Sequence, residues 1–143
     1  MRSKQSKDKY YASVVAAMET ILAKGFVVAP VEVFMVMGKL SRKDYEDWRF
    51  GRFPFLEQRI IGNLSVIGRI LDIIRFHAEA CQMKPSVTVY RKFGKGPKID
   101  LRFSKYNNPH VEKRYSTHYV SEYLRQKASQ QEAVVAEQDV NPD

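Results

Sequence analysis

The densest chemistry in this 143-residue sequence is a run of cations. Between Lys84 and Lys105 stand seven basic residues, Lys84, Arg91, Lys92, Lys95, Lys98, Arg102 and Lys105, against one acid, Asp100. That is +6 in 22 residues, most of the formal charge of +8. Lysine and arginine at this density neutralise phosphates, and the field they create points to an anionic partner, nucleic acid first. Solvent-facing strand positions also favour lysine, which protects an open edge from aggregation. The one-sidedness of the cluster favours the binding reading.

A second segment, Asp44 to Phe55, interleaves the only tryptophan, Trp48, with Arg49 and Arg52 and with Phe50, Phe53 and Phe55. Arginine beside aromatic rings can grip a phosphate backbone and stack on bases. The preferred reading is nonetheless packing, with Trp48, Phe53 and Phe55 as core anchors at a corner between helices. If the segment binds, Arg49 and Arg52 carry it. Arg42 and Lys43 stand where a recognition helix would begin, but Asp44, Glu46 and Asp47 oppose insertion into a groove.

Near the C-terminus, His110, Glu112, Lys113, Arg114, Tyr115, His118, Tyr119 and Tyr123 form a third cluster. Tyrosines at 115, 119 and 123 have i,i+4 spacing and read best as one packed helical face. His110 and His118 are spaced unlike a metal pair, and with His77 and Cys81 elsewhere no metal site assembles. No P-loop, dinucleotide fingerprint, nucleophile elbow or HExxH motif occurs, so the chain is expected to be neither an enzyme nor a cofactor carrier.

These clusters must be held by a fold. An apolar fraction of 44% with 28% charged residues is ordinary globular composition. One cysteine excludes an internal disulfide, and Cys81 sits in an apolar stretch where a buried thiol is expected. No apolar run is long enough to span a bilayer and no secretory signal stands out, so a cytoplasmic protein without membrane contact is expected.

Helical spacing of Tyr11, Val14, Val15, Met18, Ile21 and Leu22 predicts a first helix over residues 9–23. A short extended piece follows at Phe26–Val28. A second helix is predicted from Val31 to Met37, behind Pro30, and a third from Arg42 to about Phe50, opened by Ser41 and Asp44. Its Val, Phe and Met content makes the second helix a buried element or, if exposed, a partner-binding patch. A short fourth helix is predicted after Pro54. The longest helix should span Leu64 to Gln82, with Gly68 explained by close approach of a neighbour.

After Pro85 the period changes to two. Val87, Val89 and Phe93, then Ile99, Leu101 and Phe103, alternate with polar residues around Gly94-Lys95-Gly96-Pro97, which predicts a β-hairpin. A helix from Pro109 to about Arg125 follows, with an extended piece inside it as the competing reading of Tyr115, Thr117 and Tyr119. Residues 1–8 are expected as a flexible basic tail, 9–125 as one domain, and 126–143 as a disordered acidic tail.

A basic, glycine-rich hairpin after several helices resembles the wing of a winged-helix domain, in which Lys and Arg of the wing lie against phosphates. The expected fold is therefore α+β, a bundle of four to five helices with an antiparallel hairpin. Its expected core includes Val15, Met18, Leu22, Val33, Phe34, Trp48, Leu56, Ile60, Leu64, Ile67, Leu71, Ile74, Val89, Ile99 and Leu101. The expected function is non-enzymatic binding of nucleic acid, DNA before RNA, through Arg49, Arg52, Arg91, Lys92, Lys95, Lys98, Arg102 and Lys105. The alternative is a protein-binding accessory or inhibitor of a phage or mobile element, setting the same basic face on an acidic partner.

Overall fold

Two amphipathic helices build the centre. In the computed structural model, which describes residues 4–140, α1 (Tyr11–Leu22) buries Val14, Ala17, Met18 and Ile21. The longer α4 (Leu64–Ala80) buries Ile67, Ile70, Leu71, Ile73, Ile74 and Ala78 and packs against α1. Both stripes have the three-to-four spacing that turns one helical face inward. Asn63 caps α4 by accepting from the Val66 N–H at 2.9 Å. Between them come α2 (Pro30–Val36), with proline in its first turn, and α3 (Arg42–Arg49). The Ser41 hydroxyl caps α3 by accepting from the Asp44 N–H at 3.0 Å. The stretch after Pro54 forms only a 3-10 turn, Leu56–Arg59.

A three-stranded antiparallel sheet covers one end. Its strands are β1 (Val27–Val28), β2 (Lys84–Val87) and β3 (Thr117–Val120), in the order β1–β3–β2. Val28 faces Tyr119 in the first pair, and Lys84 to Val87 face Val120 to Thr117 in the second. The described residues are thus α+β with six α-helices rather than four or five, and the region read as one helix after Pro109 divides. Asn108 and Pro109 start α5 (Pro109–Ser116), β3 follows at once, and α6 (Glu122–Val140) comes last. Thr117, Tyr119 and Val120 suit a half-buried strand. Tyr115 and Tyr119 are buried, whereas Tyr123, beyond the strand, is exposed, so no three-tyrosine face forms.

The predicted hairpin is the main correction. β2 pairs with β3 and leaves the 99–103 run to another role. What remains is a short arm: the Leu101 N–H donates to the Tyr90 carbonyl at 2.8 Å, the Lys92 N–H donates to the Ile99 carbonyl at 2.9 Å, and Arg91 bridges Asp100. The expected apolar face is out of phase in the first run, where Val89 is 55% exposed and Tyr90 is buried; in the second, Phe103 is buried as expected, although Ile99 is 54% exposed. The larger rings claim the core because they bury more area against Trp48 and Tyr115. Leu64, expected inside, is exposed at the start of α4. Val15, Leu22 and Leu101 are half-buried.

An aromatic cluster ties helices to arm. Trp48 lies 5.1 Å from Phe103 and 5.6 Å from Tyr90 between ring centres, and Phe103 stacks on Tyr115 at 5.2 Å. The indole Nε1–H of Trp48 donates to the Arg102 carbonyl at 2.9 Å. Glu57 accepts from the Tyr115 hydroxyl at 2.8 Å and the Lys105 N–H at 2.8 Å, and Glu112 accepts from the Phe103 and Ser104 N–H groups. Glu57 and Glu112 thereby pair the N–H groups at the base of the arm, where the buried Ser104 Oγ has no hydrogen-bond partner among the described residues.

Other expectations resolve locally. Arg114 of α5 donates to the Gly68 carbonyl at 2.6 Å, so a close neighbour does approach that glycine. In α2, Val33 and Phe34 are buried, and of the suspected patch Val36 is exposed, at 43%, with Met35 and Met37 half-buried. Cys81 is exposed, with Sγ 3.5 Å from His77 Nε2. It follows the last turn of α4, one residue before the left-handed Gln82 that ends the helix, which places it outside the stripe. Asp8, at the end of the expected N-terminal tail, forms a two-bond pair with Arg69 at 2.8 and 3.0 Å. Residues 1–3 of that tail and 141–143 of the C-terminal one lie outside the described residues. Helix α6 occupies most of the latter, in agreement with the helix propensity of its Ala, Gln, Glu and Lys. Among the described residues no helix is long and apolar enough to cross a membrane.

One consequence is pH-dependent. The Tyr90 hydroxyl lies 2.7 Å from His118 Nε2. Burial raises the Tyr90 pKa, so the phenol stays protonated, and burial holds His118 below its ordinary 6.5. Below that pH the unfolded chain takes up a proton that the folded chain refuses. This contribution to stability therefore falls as the pH drops from about 6.5 towards the lowered value. Urea midpoints measured above and below 6.5 should separate, and His118→Gln should remove that part of the separation.

Candidate nucleic-acid interface

Helix α3 ends where the arm begins to matter. Gly51 adopts the left-handed conformation, φ 73°, and turns the chain after Phe50. A Cβ there would stand 3.2 Å from Lys92 Cε, so the glycine also makes room for the lysine chain. The Phe93 N–H donates to the Arg49 carbonyl at 2.7 Å. Phe50 and Phe93 then meet edge to face, ring centres 5.8 Å apart at 76°. Gly94 lies under the Phe50 ring, close enough that a Cβ would contact it at 3.4 Å.

These contacts unite two regions about forty residues apart in the chain. Arg49, Arg52, Arg91, Lys92, Lys95 and Lys98 all belong to the joined surface, where Asp47 and Asp100 pair with Arg52 and Arg91. The cations differ in freedom. Arg49 is a clamp: it donates to the Arg91 carbonyl at 3.1 Å, and its guanidinium sits 3.9 Å over Phe93 and 4.9 Å over Tyr90. It therefore positions the arm and is poorly placed to reach a phosphate. Arg52 pairs with Asp47 and lies 5.0 Å over Phe50, but stays largely exposed. Lys43 and Arg52 together hold the Asp47 carboxyl below the usual range. Arg91 approaches Asp100 at 3.5 Å, with both side chains exposed, a pair of little energetic weight.

Lys95 and Lys98 are the freest. Both are exposed at the tip, where Lys95 engages none of the described residues and Lys98 reaches only the Gly94 carbonyl at 3.5 Å. Arg102 and Lys105 belong to the base. Arg102 donates to the Ser104 and Lys105 carbonyls at 2.9 and 3.0 Å and covers Phe55 at 5.1 Å. Lys105 lies 5.3 Å from the Tyr106 ring. Of the eight basic residues expected to bind, two are thus locked by structure, Arg49 and Arg102.

Of the two rings on this surface, Phe50 stands in the arginine–aromatic segment that the sequence marks, whereas Phe93 is not marked. Phe50 and Phe93 are 41% and 40% exposed. Phe93 reads as part of an apolar strand face, and nothing in its spacing says that the face is turned outward. Phe53 and Phe55, expected as core anchors, are only half-buried, whereas Trp48 is wholly buried. Compared with known protein families, curated proteins and solved structures, the chain matches none.

Proposed function

We propose that the chain binds nucleic acid without catalysing a reaction, DNA in preference to RNA, through the surface shared by the end of α3 and the arm tip. The observation that carries this reading is the convergence of two separate basic segments on one exposed face whose cations outnumber its acids. A field of this kind attracts phosphates from any sequence and leaves specificity to other contacts. The reading includes a winged-helix-like layout, with the arm as wing. The strand order β1–β3–β2, a strand directly after α1 and a helix directly before β2 support that layout.

A second reading draws on Val89 and Ile99, exposed on the arm beside the lysines, and on Val87, exposed at the end of β2. A mixed apolar and basic surface also suits an acidic protein partner. Fluorescence anisotropy with random duplex DNA, single-stranded DNA and duplex RNA at two salt concentrations separates the readings. Salt-sensitive binding to at least one of them is expected. No binding even at low salt overturns the nucleic-acid reading and turns the search to proteins.

A further inference from the structure

Resting on the nucleic-acid reading, we propose that the preferred ligand is a single strand whose bases stack on Phe50 and Phe93. A surface that grips only duplex phosphates needs cations and has no use for exposed rings. Leaving a phenylalanine in water forgoes the gain of burying it, yet here two stand together, each about two-fifths exposed. They are not loose. Arg49 covers Phe93 at 3.9 Å, Arg52 covers Phe50 at 5.0 Å, and the edge-to-face contact fixes each ring against the other. The rings are thus presented in one arrangement before any ligand arrives, which reduces the ordering cost of binding.

The geometry also discriminates. In a duplex each strand repeats every 3.4 Å, roughly, with its bases stacked inside. Rings 5.8 Å apart and inclined at 76° cannot follow that stack. They can accept bases splayed away from one another, which a single strand permits. Lys92, Lys95 and Lys98 lie on the same surface to meet the phosphates between such bases, and the exposed Arg52 is the cover that a base on Phe50 displaces. Aromatic rings flanked by cations are the recurrent platform for single strands because every base offers a π-face.

The test compares a short oligothymidylate with a duplex of equal length on the full chain, for the native sequence and for Phe50→Leu/Phe93→Leu. Leucine keeps apolar bulk and removes the flat face. The native chain should bind the single strand more tightly at the same salt. The double variant should lose about tenfold or more in single-strand affinity, with duplex affinity and salt slope unchanged. Equal loss on both ligands, no loss, or tighter native binding to duplex overturns the inference. Since Phe93 also braces Arg49, a second measurement guards against a displaced arm: a 5-iodouracil single strand photocrosslinked to the native chain should attach at Phe50 or Phe93, and crosslinks confined elsewhere overturn the inference. Absence of any binding to either ligand instead removes the nucleic-acid reading beneath it.

Discussion

Lys95→Glu/Lys98→Glu should lower affinity for duplex and single-stranded DNA alike, by about a hundredfold at moderate salt, while thermal unfolding stays where it was. The magnitude follows from counterion release, which makes each lost phosphate contact worth roughly tenfold. The selectivity follows from the structure. Both lysines are exposed at the arm tip, neither forms an ion pair among the described residues, and the single contact of Lys98 is a long one to a backbone carbonyl. Exposed charges of this kind contribute little to folding, so binding changes without a change in stability. A uniform loss over all sequences marks phosphate contacts. A loss confined to some sequences would mean that the lysines read bases.

Trp48→Ala should be the most damaging single substitution for stability, at about 3–5 kcal/mol. This is a large part of the roughly 5–15 kcal/mol that holds an ordinary domain together. Trp48 is completely buried, touches Tyr45, Tyr90 and Phe103, and donates to the Arg102 carbonyl. Its removal opens a cavity between α3 and the arm base and takes away one of the two donors of that carbonyl, the other being the Leu56 N–H. Urea unfolding followed by far-UV circular dichroism measures the loss. Trp48→Phe should cost less, because a ring remains even though the hydrogen bond does not. The two arginine anchors, Arg49 and Arg102, depend on this same junction, so any folded Trp48→Ala protein should also bind nucleic acid more weakly.

The legible parts of the fold were those set by local rules. Helices α1 and α4 follow from apolar spacing and α3 from Ser41 with Asp44 at its start, all within a few residues of the structure they direct. The sheet was not legible in this way. β2 takes its partner from residues 117–120, and nothing local prefers that strand over the nearer 99–103 run. Tyr115 and Tyr119, four apart, satisfy both a helical and a strand period, so the division into α5 and β3 depends on what lies beneath them. The phase of the first arm run was decided the same way, by the bulk of Tyr90 against a distant Trp48. For the candidate site, charge density was legible, since seven cations in 22 residues need no structure to be counted. The difference between a locked Arg49 and a free Lys95, and the exposure of Phe50 and Phe93, arise only when α3 and the arm meet.

The most direct test of the central claim is a salt titration of binding to random duplex DNA, run side by side for the native chain and Lys95→Glu/Lys98→Glu. Four to six phosphate contacts predict a log–log slope of about −4 to −5 for the native chain. Loss of the two tip lysines should make the slope shallower by about two. Identical slopes for the two proteins, or native binding indifferent to salt, would contradict the assignment of the arm tip as the phosphate-binding surface.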